Sequence, residues 1–276
     1  LQWIKGEAET PPLYEKWNSF SRIAVKGDST KPSYLHTWGL SPKYHGNRIG
    51  RQLVLTNDAG GGTFLTAFDG DLSQLQFLKH DIASIAHYLR PDSHVLVVGA
   101  GGGRDVLAAL VFDQPAVTAV EINRSVVEAV NGPFGDFTGH LDRQPGVTFV
   151  AADARSFAAR QDDSYGILQF SFVETYAGTA AGAFALTENS LYTTAAWGVF
   201  LQSLQAHGLL SVTRYYFSDL PAEFYRLYGL ATAVLRQQGA VTPGDHLVVL
   251  RHIRSPPQVQ SDCPVQHRAT TSARYS

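Results

Sequence analysis

The sequence predicts an α/β protein: a Rossmann-like, doubly wound parallel sheet preceded by a small β-rich N-terminal region. Three observations carry that expectation. A valine-rich run, His94-Val-Leu-Val-Val98, leads directly into Gly99-Ala-Gly-Gly-Gly-Arg-Asp105, the plan of a buried parallel strand turning tightly into a helix. A second apolar run, Val117-Thr-Ala-Val-Glu121, ends on a carboxylate about twenty positions after the first glycine, where nucleotide-binding β-α-β units place an acceptor for ribose hydroxyls. From residue 94 onward, strand-like and helix-like stretches alternate, as a parallel sheet with right-handed crossovers requires.

Residues 1–90 read as the β-rich region. Short strand candidates fall at 20–25, 52–55 and 63–67, separated by turn-rich segments such as Gly27-Asp-Ser-Thr-Lys-Pro32 and Asp58-Ala-Gly-Gly-Gly-Thr63, whose glycine, proline and aspartate favour turns. Asp71-Leu-Ser73 then caps a helix expected to run to Leu89, because Leu75, Phe77, Leu78, Ile82, Ile85, Ala86 and Leu89 recur at helical spacing before Pro91. In the second region, 91–254, strands are expected at 94–98, 117–121, 147–151, 165–170 and 209–215, with helices at 104–112, 124–130, 154–160 and 190–206. A last helix at 221–238 leads to a strand at 246–253. Residues 255–276 are polar and aperiodic, and read as a disordered tail.

Composition narrows the class. The 276 residues are 44% hydrophobic and 17% charged, with a formal net charge of −2, so there is a core to bury and no electrostatic case for a nucleic-acid partner. Cys263 is the only cysteine, which excludes an intrachain disulfide framework. The histidines lack metal-ligand spacing, so no metal is expected. No apolar stretch approaches the roughly 18–20 residues needed to span a bilayer. The chain opens on Leu1 and contains no methionine, which reads as an excerpt of a longer protein.

The glycine spacing selects a ligand class. Gly99, Gly101 and Gly103 form G-x-G-x-G, whereas dinucleotide folds place the third glycine one position later, here Arg104. That favours ligands of the S-adenosylmethionine type over nicotinamide dinucleotides. Asp153 closes a third strand in Val147-Thr-Phe-Val-Ala-Ala-Asp-Ala154. It suits the adenine amine, with the Ala154 amide on the ring, and equally suits plain N-capping of the next helix. After the fourth strand, residues 169–189 make a long connection at the carboxyl edge, where long ordered loops are usually functional. Ser171, Glu174, Thr175 and Tyr176 would face the reacting end of the cofactor there.

At these residues the chain resembles the spermidine synthase family, particularly its bacterial branch in which the domain follows membrane spans. Trp17-Asn-Ser-Phe-Ser-Arg-Ile23 is similar to the family's Tyr-Gln-x-Ile strand, Leu78-Lys-His-Asp81 to its Tyr-His-Glu helix, and Val120-Glu-Ile-Asn123 to its Glu-Ile-Asp. The resemblance implies a class I S-adenosylmethionine-dependent methyltransferase fold. It implies S-adenosylmethionine or its decarboxylated form as cofactor, held by Gly99, Gly101, Gly102, Gly103, Glu121, Ile122, Asp153 and Ala154. It also implies His80 and Asp81 on the substrate side, an amine acceptor, a homodimer paired through the N-terminal β region, and a cytoplasmic domain, here one anchored by an upstream membrane segment.

Three positions depart from the family pattern: Ser21 stands where the family strand has a glutamine, and the other two bear on the chemistry. Gly102 stands where the family has an aspartate for the amino group of the decarboxylated cofactor, and Ser171 where it has the base that deprotonates the amine. Glu174 keeps the second carboxylate of that loop and becomes the candidate base, with Ser171 and Tyr176 beside it. The expected activity is aminopropyl transfer to an amine. The alternatives are methyl transfer to another acceptor and a catalytically silent cofactor-binding domain.

Overall fold

A computed structural model describes residues 3–4, 7–58, 61–161, 165–173, 191–219 and 221–252. The N-terminal region opens with a two-stranded ribbon, β1 (Trp3–Ile4) and β2 (Glu7–Ala8). A four-stranded antiparallel sheet follows, from β3 (Tyr14–Trp17), β4 (Arg22–Lys26), β7 (Gln52–Asn57) and β8 (Gly61–Thr66), in the order β3-β4-β7-β8. The short pair β5 (Ser33–Tyr34) and β6 (Ile49–Gly50) lies in the connection between β4 and β7. Composition alone did not mark β3 or the ion pair that fixes it. Arg22 is buried and meets both oxygens of Glu9 at 2.8 and 3.0 Å and Glu15 at 2.9 Å, so its charge is neutralised within the sheet.

The helix expected from 71 to 89 is broken into three pieces. A 3-10 segment covers Leu72–His80, a second covers Ile82–Ser84, and only α1 (Ile85–Leu89) is α-helical. The break falls at Asp81, whose extended backbone and capping carboxylate end one turn and start the next. Apolar spacing set the buried face correctly, with Leu75, Phe77 and Leu78 inside, but Asp81 is committed to tertiary partners described below.

The second region is a five-stranded sheet in the order β11-β10-β9-β12-β13, with every pair parallel. Its strands are β9 (His94–Val98), β10 (Ala116–Glu121), β11 (Val147–Ala151), β12 (Tyr165–Ser171) and β13 (Leu204–Thr213). The helices are α2 (Arg104–Val111), α3 (Arg124–Asn131), a short α4 (Gly135–Thr138), α5 (Ala154–Ala158), α6 (Thr194–Gln202) and α7 (Ala222–Gln237). Strand alternation sorts the core. Val95 and Val97 pack with Val106 and Ala109 of α2, while Leu96 and Val98 pack with Phe200 of α6 and Val234 of α7. Helix α2 is covered twice, because its Leu107, Ala108 and Val111 join the core of the N-terminal sheet. The two sheets therefore share one helix layer.

Near the C-terminus one expected helix is shorter than expected and one expected strand is missing. The helix placed at 190–206 is capped by Thr193 and ends at Gln202, since β13 begins at Leu204. Among the described residues of the strand placed at 246–253, up to 252, no strand forms: a 3-10 turn spans Pro243–His246 and the chain after it joins no sheet. Val248, Val249 and Leu250 are exposed there, so the apolar run that suggested a strand has no sheet edge to join. The expected tail at 255–276 lies outside the described residues. No described helix is long and apolar enough to cross a membrane.

Candidate functional site

The strand order reverses between β9 and β12, and open α/β sheets bind ligands outside the carboxyl ends of the strands at such a point. The glycine loop leaves β9 on one side of this crevice and Ser171 ends β12 on the other. Gly99 and Gly101 take positive φ, +72° and +50°, which lets the chain fold back so that the amides of Gly99 and Ala100 both donate to the Val120 carbonyl. A Cβ at Gly99 would sit 2.8 Å from Val173, just past β12.

Glu121 ends β10 at the crevice. One carboxylate oxygen accepts from the Gly101 amide at 3.0 Å and the other from the Asn123 amide at 3.0 Å. Burial pushes its carboxyl above the usual range, and the surrounding amides of Asn123, Gly101 and Ile122 pull against that. Each oxygen retains acceptor capacity beyond the bond it makes. Ile122 beside it is 43% exposed, an apolar surface next to a carboxylate at the strand end. Asn123 caps α3 and donates to Ser21, while Asn18 donates to Asn123 and Ser125. The N-terminal region thus braces this side of the crevice.

The other expected cofactor residues take distinct places. Gly103 has φ +87° and starts α2. The Gly102 amide donates to Thr63 Oγ1 at 3.3 Å, and a Cβ there would lie 2.2 Å from the Phe64 carbonyl oxygen of β8. The position is thus glycine because a neighbouring main chain fills its side-chain space. Asp153 closes β11 and caps α5, accepting from Ser156 N at 2.8 Å, with Ala154 buried behind it.

On the substrate side, His80 and Asp81 part company. His80 is exposed and lies against the Tyr44 ring at 4.7 Å. Asp81 is 3% exposed. Its Oδ2 accepts from Trp38 N, Gly39 N and Arg104 Nη2 at 3.0, 3.1 and 2.6 Å, and its Oδ1 accepts from Ala83 N at 3.0 Å. Four donors hold this carboxylate in place, and what it does is fix a buried arginine.

That arginine and its neighbour were not singled out from the sequence. The Arg104 side chain is 9% exposed and the Asp105 side chain 7%. Arg104 lies under the Trp38 ring, 5.7 Å from its centroid. Burial pushes the Asp105 carboxyl up, against the Arg104 charge and hydrogen bonds from Ser171 and Gln169. Ser171 also accepts from Gln169 Nε2 at 3.2 Å. The signal available was the acidic-basic pair directly after the glycine loop, in a helix turn that α/β folds point at their ligand. Aromatic rings continue from this cluster: Phe64 stacks on His36, His36 meets Trp38, Trp38 meets Phe172 and Phe172 meets Tyr215, with centroids 4.2 to 5.0 Å apart. Phe172 has φ +54°, a left-handed conformation that bulky residues rarely adopt. Glu174 and Tyr176 lie outside the described residues.

Solved spermidine synthase structures are similar to this chain. One is in complex with the transition-state analogue AdoDATO and one is from Thermotoga maritima. Each is 14% identical, with a TM-score of 0.50, over 82% of this chain and 63% of the other. The chain thus spans under two thirds of their length, and at that identity the likeness shows the fold: a class I methyltransferase-like parallel sheet with an antiparallel N-terminal sheet. No family model and no curated protein sequence matches the chain.

Proposed function

We propose that this chain is a transferase that binds the adenosine part of S-adenosylmethionine, or of its decarboxylated form, in the crevice between β9 and β12. Glu121 carries the reading. It is a buried carboxylate at a strand end, held by glycine-loop and strand-end amides, with acceptor capacity left for a ribose diol. Ile122 offers an apolar face to the adenine, and Asp153 and Ala154 lie at the next strand end to meet its polar edge. Neighbouring spermidine synthases, one of them solved with AdoDATO, support an adenosine sulfonium as donor and an amine as acceptor.

The chemistry needs little covalent help from the protein. The acceptor's lone pair attacks a carbon on the sulfonium, the C–S bond breaks, and a neutral thioether leaves. Orientation supplies most of the rate. Glu174 takes the acceptor's proton in this reading, with Ser171 and Tyr176 orienting the acceptor. Asp81 positions Arg104.

Aminopropyl transfer from the decarboxylated donor is the activity the likeness favours. A second reading, in which intact S-adenosylmethionine gives up its methyl group, is favoured by Gly102: main chain at 2.2 Å leaves no room there for a carboxylate to receive the donor's amine. Calorimetric titration with methylthioadenosine tests the shared part. Binding is expected in the parent chain and a loss of at least a hundredfold in Glu121→Ala, with thermal unfolding as the fold control; unchanged affinity would sink the assignment. The by-product then separates the readings, since propyl-type transfer releases methylthioadenosine and methyl transfer releases S-adenosylhomocysteine.

A further inference from the structure

Beside the crevice end of β12, hydrogen-bonding capacity of opposite sign is left unmet. Arg104 spends Nη2 on Asp81, but among the described residues its Nε and Nη1 have no hydrogen-bond partner. Asp105 Oδ1 has none either, although it lies only 3.9 Å from Arg104 Nη1, too far for a hydrogen bond. Both side chains are more than nine-tenths buried. Buried polar groups in this condition carry an unrelieved desolvation penalty. They sit in the first turn of α2, directly after the glycine loop, where the helix N-terminus also favours negative charge.

From this juxtaposition we infer that Arg104 and Asp105 form a receptor for an α-amino carboxylate, with the ligand's carboxylate on Arg104 and its ammonium on Asp105. The inference rests on the sulfonium-cofactor reading and deepens it. A zwitterion presents both charges a few ångströms apart, which is what the two side chains lack. Asp81 makes the arrangement possible by fixing the guanidinium while leaving two of its nitrogens open. An approaching ammonium favours the ionised form of Asp105, which burial opposes. The two sources of such a group are the methionyl end of S-adenosylmethionine and a separate amino-acid acceptor.

Calorimetry on the parent chain with S-adenosylmethionine, its decarboxylated form and methylthioadenosine distinguishes them. For the methionyl end, the intact cofactor binds at least tenfold more tightly than the decarboxylated one. That preference disappears in Arg104→Lys, which keeps a cation for Asp81 but loses the free donors. Asp105→Asn is expected to weaken both amine-bearing forms together and leave methylthioadenosine unchanged. For a separate acceptor, the two cofactor forms bind alike, and a panel of the standard amino acids titrated into the methylthioadenosine-saturated protein shows binding that Arg104→Lys abolishes. Equal cofactor affinities with no amino-acid binding would overturn the receptor while leaving the nucleoside site standing. Failure of methylthioadenosine itself to bind would overturn the sulfonium reading, and the receptor with it.

Discussion

On the β10 side of the crevice, both carboxylates are held by main-chain amides: Glu121 takes those of residues 101 and 123, and Asp153 takes one three positions on, while Asn18 and Ser21 brace Asn123. On the α2 side, the partners come from far along the chain. Asp81 reaches Arg104 and the amides of Trp38 and Gly39, Asp105 faces Ser171, and several buried polar atoms remain unmatched. The first side is a frame whose geometry exists before any ligand arrives. The second has satisfied its charges with each other but holds hydrogen-bonding capacity in reserve.

The largest test of this contrast removes the charge partner on the α2 side. Asp81→Ala leaves Arg104 buried without its carboxylate and is expected to destabilise the fold by about 3–5 kcal/mol, read as a fall in urea midpoint. A loss under about 1 kcal/mol would mean the arginine finds solvent, and the two sides would no longer differ in kind.

A pH series comes next. Burial pushes His87, packed on Phe112, down to about 4, with Gln169 opposing. A histidine depressed in the folded state gives stability that is present above its unfolded value near 6.5 and is lost as pH falls toward 4. The loss is expected to reach about 3 kcal/mol in urea titrations, and His87→Gln should flatten that part of the profile. Asp105 acts in the reverse sense. Its raised carboxyl favours folding below the ordinary carboxylate range and loses that advantage as pH rises, so Asp105→Asn should gain relative stability toward neutral pH.

On the frame side, Gly102→Ala forces a methyl against the Phe64 carbonyl and is expected to cost about 1–3 kcal/mol, seen as a lower thermal midpoint. Smallest of all is Lys16→Ala. It breaks the 2.5 Å pair between β3 and Glu128 of α3, but both partners are solvated, and no change in midpoint is expected at physiological salt. A clear drop there would show that the frame depends on this surface ion pair as well.

The same contrast decides what could be read before the structure. Strands β9 to β12, the glycine turn and the start of α2 rest on apolar runs and local turn chemistry, which adjacent residues encode. Asp81 was invisible in that way: the apolar period from Leu75 to Leu89 continues through it, and only the distant Trp38, Gly39 and Arg104 explain why the helix breaks. Arg104 was read for its absence of glycine rather than for its guanidinium, because nothing within a few residues reveals that it is buried. The run at 247–250 misled for a related reason. Apolar content says that a strand is possible, but pairing needs an edge, and that edge is a property of the whole sheet.

The Phe64 carbonyl over Gly102 has a consequence for altering this protein. The obstruction is main chain, so no substitution at Phe64 removes it, and every side chain at 102 meets it. Only a change in the length or path of the hairpin between β7 and β8 opens that position. Position 102 and the hairpin are therefore constrained to change together, through intermediates that are poorly packed. Redirecting donor preference would begin in the N-terminal sheet, with the glycine loop following.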